Sequence, residues 1–225
     1  MIIGPEGSSN LPSRDPMSPR SAAYRVVGHA FDRAAVDPRQ WVREEWGDGM
    51  MLLIDASVWK VDIVGPFLDH LVAALAEYNI SRRLQDWLRL RIALHAGEVR
   101  RDESGWGGDD LTMTFRLNQA QEVKQHLADA ARAQCIIVAS DHIYRAIIRH
   151  EERVAWTAHY RAIQLARLDD PARAWIRIPG YETPPEPPAR TSSRAGEPDD
   201  SSEGRVLGPG TGVHTGSPAH PEHHL

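Results

Sequence analysis

The chain is poor in cysteine, in lysine and in long apolar runs. Its 225 residues include one cysteine, Cys135, which excludes an internal disulfide and favours a reducing compartment. Lys60 and Lys124 are the only lysines among 26 basic residues, a preference for arginine that we attribute to coding bias. No apolar run approaches the roughly 18 residues that cross a bilayer, and the polar N-terminal residues lack the apolar core of a signal peptide. We therefore expect a cytoplasmic location.

Charge and composition limit the partners and the domain count. A net charge of −5 gives no electrostatic reason for binding to nucleic acid or to a membrane surface, so neither is expected as a partner. An apolar share of 41% and seven tryptophans suffice for one folded core. From residue 181 the chain is rich in Pro, Ser, Gly and charge, and this composition predicts a disordered tail over 181–225. The folded domain is predicted over 19–180.

Hydrophobic periodicity predicts alternating helices and strands within this domain. The predicted helices span 19–36, 63–75, 109–131 and 141–150. The predicted strands are two within 41–54, folded about a Gly-Asp-Gly turn, and single strands over 88–99, 135–139, 159–166 and 174–178. This alternation predicts an α+β sandwich with a mixed, mostly antiparallel sheet and helices covering one face.

Two turns that contain glycine hold the candidate functional residues. Asp48 lies in the turn Gly47-Asp48-Gly49, and taken alone it is typical of a turn former. The second turn, 105–110, follows the apolar stretch LRLRIALHAGEV and leads into a helix that carries Arg116. Aspartates at the start of a helix are common because they suit its macrodipole. This turn lacks the Lys-Ser/Thr ending of a P-loop.

In order and spacing, these two segments resemble the best-marked parts of the class III nucleotidyl cyclase domain, the adenylate/guanylate cyclase family. Arg91, His95, Gly97 and Glu98 fall where the strand signature of that family has them. The resemblance covers about residues 5–180. It implies a ferredoxin-like α+β sandwich that pairs head to tail, as a homodimer or as a heterodimer with another cyclase-like subunit. The active sites would then lie across the dimer interface.

The resemblance implies a role for each candidate residue. Asp48 would bind a divalent metal, Mg²⁺ or Mn²⁺, since hard cations prefer carboxylate oxygens. Arg116 would stabilise charge on the α-phosphate of ATP or GTP. Thr112 stands where the family has an asparagine that orients the ribose. Glu44 and Gly108 would contact the substrate; Glu44 holds a position that helps to select the base, and it leaves adenine and guanine equally open.

The chain also departs from the family pattern. The second metal-binding aspartate falls at Gly4, next to Pro5, which cannot donate to a strand ladder. Residues 1–18 are therefore expected to be an irregular remnant of the first strand, unless the natural start lies upstream. Glu6 is not expected to replace the missing carboxylate. Thr112 has one hydrogen-bond donor where asparagine has two.

These departures favour a catalytically degraded cyclase-like signalling domain that binds a nucleotide or a protein partner. One alternative is an active cyclase that makes a 3′,5′-cyclic nucleotide and pyrophosphate, given a longer N-terminus or a complementary subunit. Another is a dimerisation scaffold without nucleotide affinity. His95 is predicted to be a hydrogen-bonded residue rather than a ligand, and its spacing from Cys135 and His142 does not indicate a nucleophilic site.

Overall fold

The computed structural model describes residues 1–7, 18–47, 49–103, 105–151, 159–166 and 172–185. Two compact units divide the chain, 1–188 and 189–225, and all described residues belong to the first. The predicted tail lies outside the described residues from 186 onward. The described strands are β1 (Ile2–Pro5), β2 (Trp41–Trp46), β3 (Gly49–Ile54), β4 (Leu90–Leu94), β5 (Arg100–Asp102), β6 (Gly105–Gly107), β7 (Cys135–Ser140), β8 (Arg161–Leu165) and β9 (Ala172–Arg177).

The described helices are α1 (Pro19–Arg33), α2 (Lys60–Asp62), α3 (Leu68–Asn79), α4 (Asp109–Gln119), α5 (Gln121–Asp129) and α6 (Asp141–Ala146). A π-helical turn, Ile63–Phe67, joins α2 to α3. Short 3-10 turns occur at Pro38–Gln40, Leu84–Asp86 and Ile148–His150. Of the helices in these ranges, none is both long and apolar enough to span a lipid bilayer.

Seven of the described strands form one sheet in the order β2-β3-β1-β4-β7-β9-β8. Every neighbouring pair is antiparallel except β4 and β7, which run parallel with Leu90 opposite Cys135. A parallel pair needs a crossover connection, and α4 and α5 provide it. β5 and β6 form a separate hairpin. The prediction of an α+β fold with a mixed, mostly antiparallel sheet is confirmed.

Helices cover both faces of this sheet, which corrects the prediction that they cover one face. Successive strand residues point to opposite faces, and they divide between two buried clusters. Ile92 and Ile137 pack with α1 and α3, whereas Ala93 and Ile136 pack with α4 and α5. The reason lies in the strands themselves. β4 and β7 are buried at every position, so both of their faces need a cover.

The first strand is present between β3 and β4, and the prediction of an irregular remnant is wrong for Ile2–Pro5. All four residues are buried. Pairing with β3 ends at Ile3, whereas pairing with β4 continues to Pro5. The N–H of Glu6 donates to the carbonyl oxygen of Arg89 at 2.8 Å, so by alternation the nitrogen of Pro5 faces the side where β3 pairing has ended. A proline fits there because no neighbouring strand requires its amide hydrogen.

Two predicted elements differ in length from the observed ones. The strand predicted over 88–99 is the shorter β4, because the chain leaves the sheet at His95. The helix predicted over 109–131 is divided at Ala120, whose ψ of 134° is extended, into α4 and α5. The division lets Leu117 and Val123 pack in the same buried cluster. The other predicted helices and strands occur near their predicted bounds.

Asn79, the last residue of α3, fastens this helix to the sheet. Its side chain is fully buried. It accepts the N–H of Leu88 at 2.9 Å and donates to the carbonyl oxygen of Leu88 at 2.9 Å and to Oε1 of Gln134 at 3.0 Å. Leu88 leads into β4 and Gln134 into β7, so one amide group joins the end of α3 to the start of both parallel strands.

Replacing Asn79 with alanine is expected to lower the free energy of unfolding by about 2–4 kcal/mol, because the polar groups of Leu88 and Gln134 would lose buried partners. Urea unfolding followed by tryptophan fluorescence measures the change. Glu77→Ala, two residues earlier, removes an exposed ion pair with Arg33 and is expected to change stability far less, because solvent screens such a pair. Equal losses in the two variants would contradict this role of Asn79.

Candidate functional site

The β2–β3 hairpin brings its turn close to the end of β1. Trp46 pairs with Gly49, which leaves a two-residue turn of Gly47 and Asp48. Gly47 has a φ of 55°, in the left-handed region that favours glycine. A Cβ at Gly49 would collide with the carbonyl oxygen of Ile3, so a larger residue cannot make this approach. Asp48, the predicted metal ligand, lies outside the described residues, but both glycines that flank it are in place.

A cavity of about 540 Å³ lies between this turn, β1 and α4. The two glycines that flank Asp48 line it on one side. Three predicted site residues, Gly108, Thr112 and Arg116, line it on the other side. The structure therefore brings the hairpin turn and the start of α4 together within one chain. The head-to-tail dimer implied by the resemblance would instead take these two parts from different subunits.

The first turn of α4 holds Thr112 in a hydrogen bond within the helix. Gly108, before α4, has a φ of 136°, which residues other than glycine rarely adopt. Its carbonyl oxygen accepts both the N–H and the Oγ1 hydroxyl of Thr112, each at 3.0 Å. The one hydroxyl hydrogen of Thr112 is thus used inside the helix rather than offered to a ligand. Arg116 lies one turn further on and is exposed.

Gly4 marks the predicted position of the second metal carboxylate, and its side-chain space is already filled. A Cβ there would lie 2.9 Å from Oδ1 of Asn118 and 3.2 Å from Nη2 of Arg91. Both side chains belong to buried residues. Nδ2 of Asn118 donates to the carbonyl oxygens of Arg91 at 2.9 Å and Ile2 at 3.2 Å, and Nε of Arg91 donates to the carbonyl oxygen of Asn118 at 3.3 Å. An aspartate at Gly4 would have to displace the side chains of Asn118 and Arg91.

Glu6, an acidic residue that directly follows β1, is held in an ion pair. Its Oε2 lies 2.9 Å from Nη1 of Arg89. Arg89 also donates to the carbonyl oxygens of Ala133 at 2.8 Å and Ala130 at 3.0 Å. Among the described residues, no group of three or more His, Cys, Asp or Glu side chains could hold a metal ion. This part of the chain does not fit the pair of divalent cations that the resemblance implies.

Three aromatic residues that sequence reasoning missed, Trp46, Trp106 and Phe115, line the same cavity. The rings of Trp46 and Phe115 have centroids 4.4 Å apart and are tilted by 34°. The guanidinium of Arg101 lies 5.3 Å from the ring centroid of Trp106. A sequence signal did exist, because each tryptophan directly precedes a glycine of one of the two turns.

Glu44, predicted to contact the substrate, is not among the residues that line this cavity. It lies in β2, which is one of the two outer strands of the described sheet, opposite Met51 of β3. The structure therefore does not bring Glu44 together with Thr112 and Arg116.

His95 follows β4 and is held in a hydrogen-bond network beside a second cavity of about 380 Å³. Its Nδ1 lies 2.8 Å from Oγ of Ser140, and its Nε2 lies 2.9 Å from Oδ1 of Asp110. Oδ2 of Asp110 accepts the N–H of Glu98 at 2.7 Å. The hydrogen bond to His95, followed by that to Glu98, holds the pKa of Asp110 below its usual range, so this carboxylate is ionised at neutral pH. The prediction that His95 is a hydrogen-bonded residue is confirmed.

A scan against models of known protein families finds no matching family, and a search of curated proteins finds no match either.

Gly4→Ala is expected to lower the free energy of unfolding by about 1–3 kcal/mol, because the added Cβ overlaps the side chains of Asn118 and Arg91. Chemical denaturation measures the change. Gly28→Ala is the matched control, since a Cβ in that part of α1 would meet no heavy atom within 4 Å. That variant is expected to gain about 0.5–1 kcal/mol. A Gly4→Ala protein as stable as the parent would show that the space is open.

Asp110→Asn is expected to lower stability at pH 7 by less than about 1 kcal/mol, because the Asp110 side chain is 41% exposed and solvent screens its hydrogen bonds. Because folding lowers the pKa of Asp110 from its ordinary value of 3.8, this contribution is complete at neutral pH and is lost as the pH falls below that value. The variant should therefore converge on the parent in acid. Urea midpoints measured from about pH 7 to about pH 2.5 test this, with the exposed neighbour in Asp109→Asn as the control. A constant difference at all pH values would contradict the stated cause.

Proposed function

We propose that this chain is a nucleotidyl cyclase-like signalling domain that has lost turnover and binds a purine nucleotide as a regulatory module. The order of its elements supports this. In the run β1-α1-β2-β3-α3-β4, β1 lies between β3 and β4, and α1 and α3 pack in the same buried cluster. This order is the one expected of the split βαβ arrangement in ferredoxin-like folds, and it supports the proposal. A ferredoxin-like sandwich is also what the resemblance to class III cyclases implies.

The observation that carries the proposal is the shared cavity. It joins the glycines on either side of Asp48 to Arg116. A guanidinium group binds phosphate oxygens through parallel hydrogen bonds. Trp46 and Trp106 line the same space and offer flat surfaces on which a purine base can stack. A volume of about 540 Å³ is in the range of small-molecule sites.

Three features favour binding without turnover. Gly4 carries no carboxylate, Glu6 is paired with Arg89, and the hydroxyl of Thr112 donates to its own helix. Loss of one of two metal carboxylates removes a cation that stabilises several kcal/mol of transition-state charge. Each 1.4 kcal/mol corresponds to about tenfold in rate. Loss of the group that orients the ribose costs roughly another 10²-fold.

A nucleotide in this cavity would contact both the β2–β3 hairpin and α4, which are far apart along the chain. A ligand shifts a conformational equilibrium only through contacts that differ between two states. A nucleotide that contacts two separate elements of one chain can therefore favour one arrangement of these elements over another. The proposed regulatory role therefore does not require a site shared between subunits.

Isothermal titration calorimetry with non-hydrolysable analogues of ATP and GTP is expected to show binding of at least one of them. Arg116→Ala is expected to weaken that binding by about tenfold or more, since a hydrogen bond to a charged group contributes about 1.5–3 kcal/mol. Arg132→Ala is the matched control, because Arg132 is also an exposed arginine but does not line the cavity. Its affinity should equal that of the parent. If neither analogue binds, nucleotide recognition is refuted and a scaffold role is left.

The same protein incubated with ATP or GTP and Mn²⁺ is expected to form no cyclic nucleotide above background. Product formation that disappears in Asp48→Ala would overturn the proposed loss of turnover and favour an active cyclase.

A further inference from the structure

β2 is an outer strand of the sheet, and one of its edges has no partner strand among the described residues. Among the strands in the described ranges it pairs with β3 alone. The N–H of Asp55 donates to the carbonyl oxygen of Gln40 at 2.7 Å, so the backbone groups of even-numbered residues in β2 point toward β3. Those of Trp41, Arg43 and Glu45 consequently point outward, away from the sheet.

This edge lacks most of the features that keep strands from pairing between molecules. β2 contains neither proline nor lysine, and it pairs with β3 at every position without a bulge. It exposes apolar surface, since Val42 is 41% exposed and Trp46 is 53% exposed. Arg43 and Glu45, the charged residues whose backbone groups point outward, have opposite signs. Their charges are therefore complementary to those of a second copy that runs in the opposite direction.

We propose that two copies of this chain form a homodimer through antiparallel pairing of their β2 strands about a two-fold axis at Glu44. In this register Arg43 of each copy lies opposite Glu45 of the other, and Val42 lies opposite Trp46. The outward backbone groups of Arg43 and Glu45 exchange N–H···O bonds in both directions. The two sheets become one continuous sheet.

Hydrogen bonding and charge together select this register. Outward-pointing residues can bond only to outward-pointing residues, so odd-numbered positions must face odd-numbered positions. Two such registers pair five residues of each strand. Centring on Arg43 puts the two copies of Arg43 opposite each other and Val42 opposite Glu44. Centring on Glu44 makes two Arg43–Glu45 pairs and two apolar Val42–Trp46 pairs, which are favourable cross-strand combinations.

Helix α1 holds the charged side chains of this edge on one face. The guanidinium of Arg43 lies 4.6 Å from the ring centroid of Tyr24. Oε2 of Glu45 lies 2.7 Å from Nη2 of Arg20, and the Glu45 side chain is 71% exposed. Its carboxylate can accept a second arginine, because two oxygens together offer about four acceptor sites.

Glu44 is the one unfavourable element of the interface. On the two-fold axis it faces Glu44 of the second copy in a closely spaced, non-hydrogen-bonded pair, where like charges repel. In this arrangement Glu44 affects dimerisation rather than base selection. The repulsion between the two Glu44 side chains is expected to weaken the dimer, and a neutral residue at this position would remove it.

Sedimentation equilibrium of the full chain tests the interface. The parent is expected to show a monomer–dimer equilibrium at concentrations on the order of 100 µM, as suits a small interface. Arg43→Glu and Glu45→Arg should each weaken dimerisation by about tenfold or more, and the double charge swap should restore it to within about threefold, because the pairs reform with reversed signs. Glu44→Gln should strengthen the dimer several-fold. Arg132→Glu, away from this strand, should leave the dissociation constant unchanged.

A parent that is monomeric at these concentrations would overturn the proposal. A folded double variant, checked by circular dichroism, that does not dimerise would also overturn it. If the double variant does not fold, Glu44→Gln decides, since an unchanged dissociation constant in that variant contradicts the register. The proposal does not rest on nucleotide binding. Trp46 belongs to both the cavity and the interface, but Arg43 and Glu45, whose charges select the register, do not line the cavity. Calorimetry and sedimentation can therefore fail independently.

Discussion

Asn118, in the last turn of α4, donates hydrogen bonds to carbonyl oxygens in two neighbouring strands, those of Ile2 in β1 and Arg91 in β4. Its side chain is fully buried, so these hydrogen bonds have no competition from water, and their loss would leave polar groups without partners. The contact fixes how closely α4 approaches the sheet. Thr112 and Arg116 belong to the same helix, and with its position fixed by Asn118 they line the same cavity as Gly47 and Gly49.

The same contact limits which side chain can occupy position 4. Asn118 and Arg91 occupy the volume that a side chain at Gly4 would need. A close helix–strand contact and a second metal carboxylate compete for one space, and this chain has the contact. The result is a cavity formed within one chain, with an arginine and aromatic walls, and no Asp or Glu occurs among the described residues that line it. This lining is the basis of the proposed nucleotide binding without turnover.

Local signals in the sequence predicted the β2–β3 hairpin and most helices, because a glycine turn or a helical stripe depends on residues close in sequence. The prediction of β1 was wrong because Pro5 was judged by its residue type, whereas its tolerance depends on where β3 stops pairing. The cover of both sheet faces was missed because β7 is apolar from Cys135 to Ala139 and shows no alternation of apolar and polar residues. Helical spacing correctly grouped Thr112 with Arg116, but Glu44 lies on a separate strand whose place in the sheet is a tertiary property.

Cys135 begins β7, inside the sheet, and is 1% exposed. Burial raises the pKa of its thiol to about 12, and the thiolate is the form that reacts with alkylating reagents. Because the chain contains no other cysteine, alkylation requires that the interior of the sheet open to solvent. Under conditions where alkylation is faster than reclosure, its rate equals the opening rate of the native protein. The molecule thus carries an intrinsic chemical reporter of its own kinetic stability.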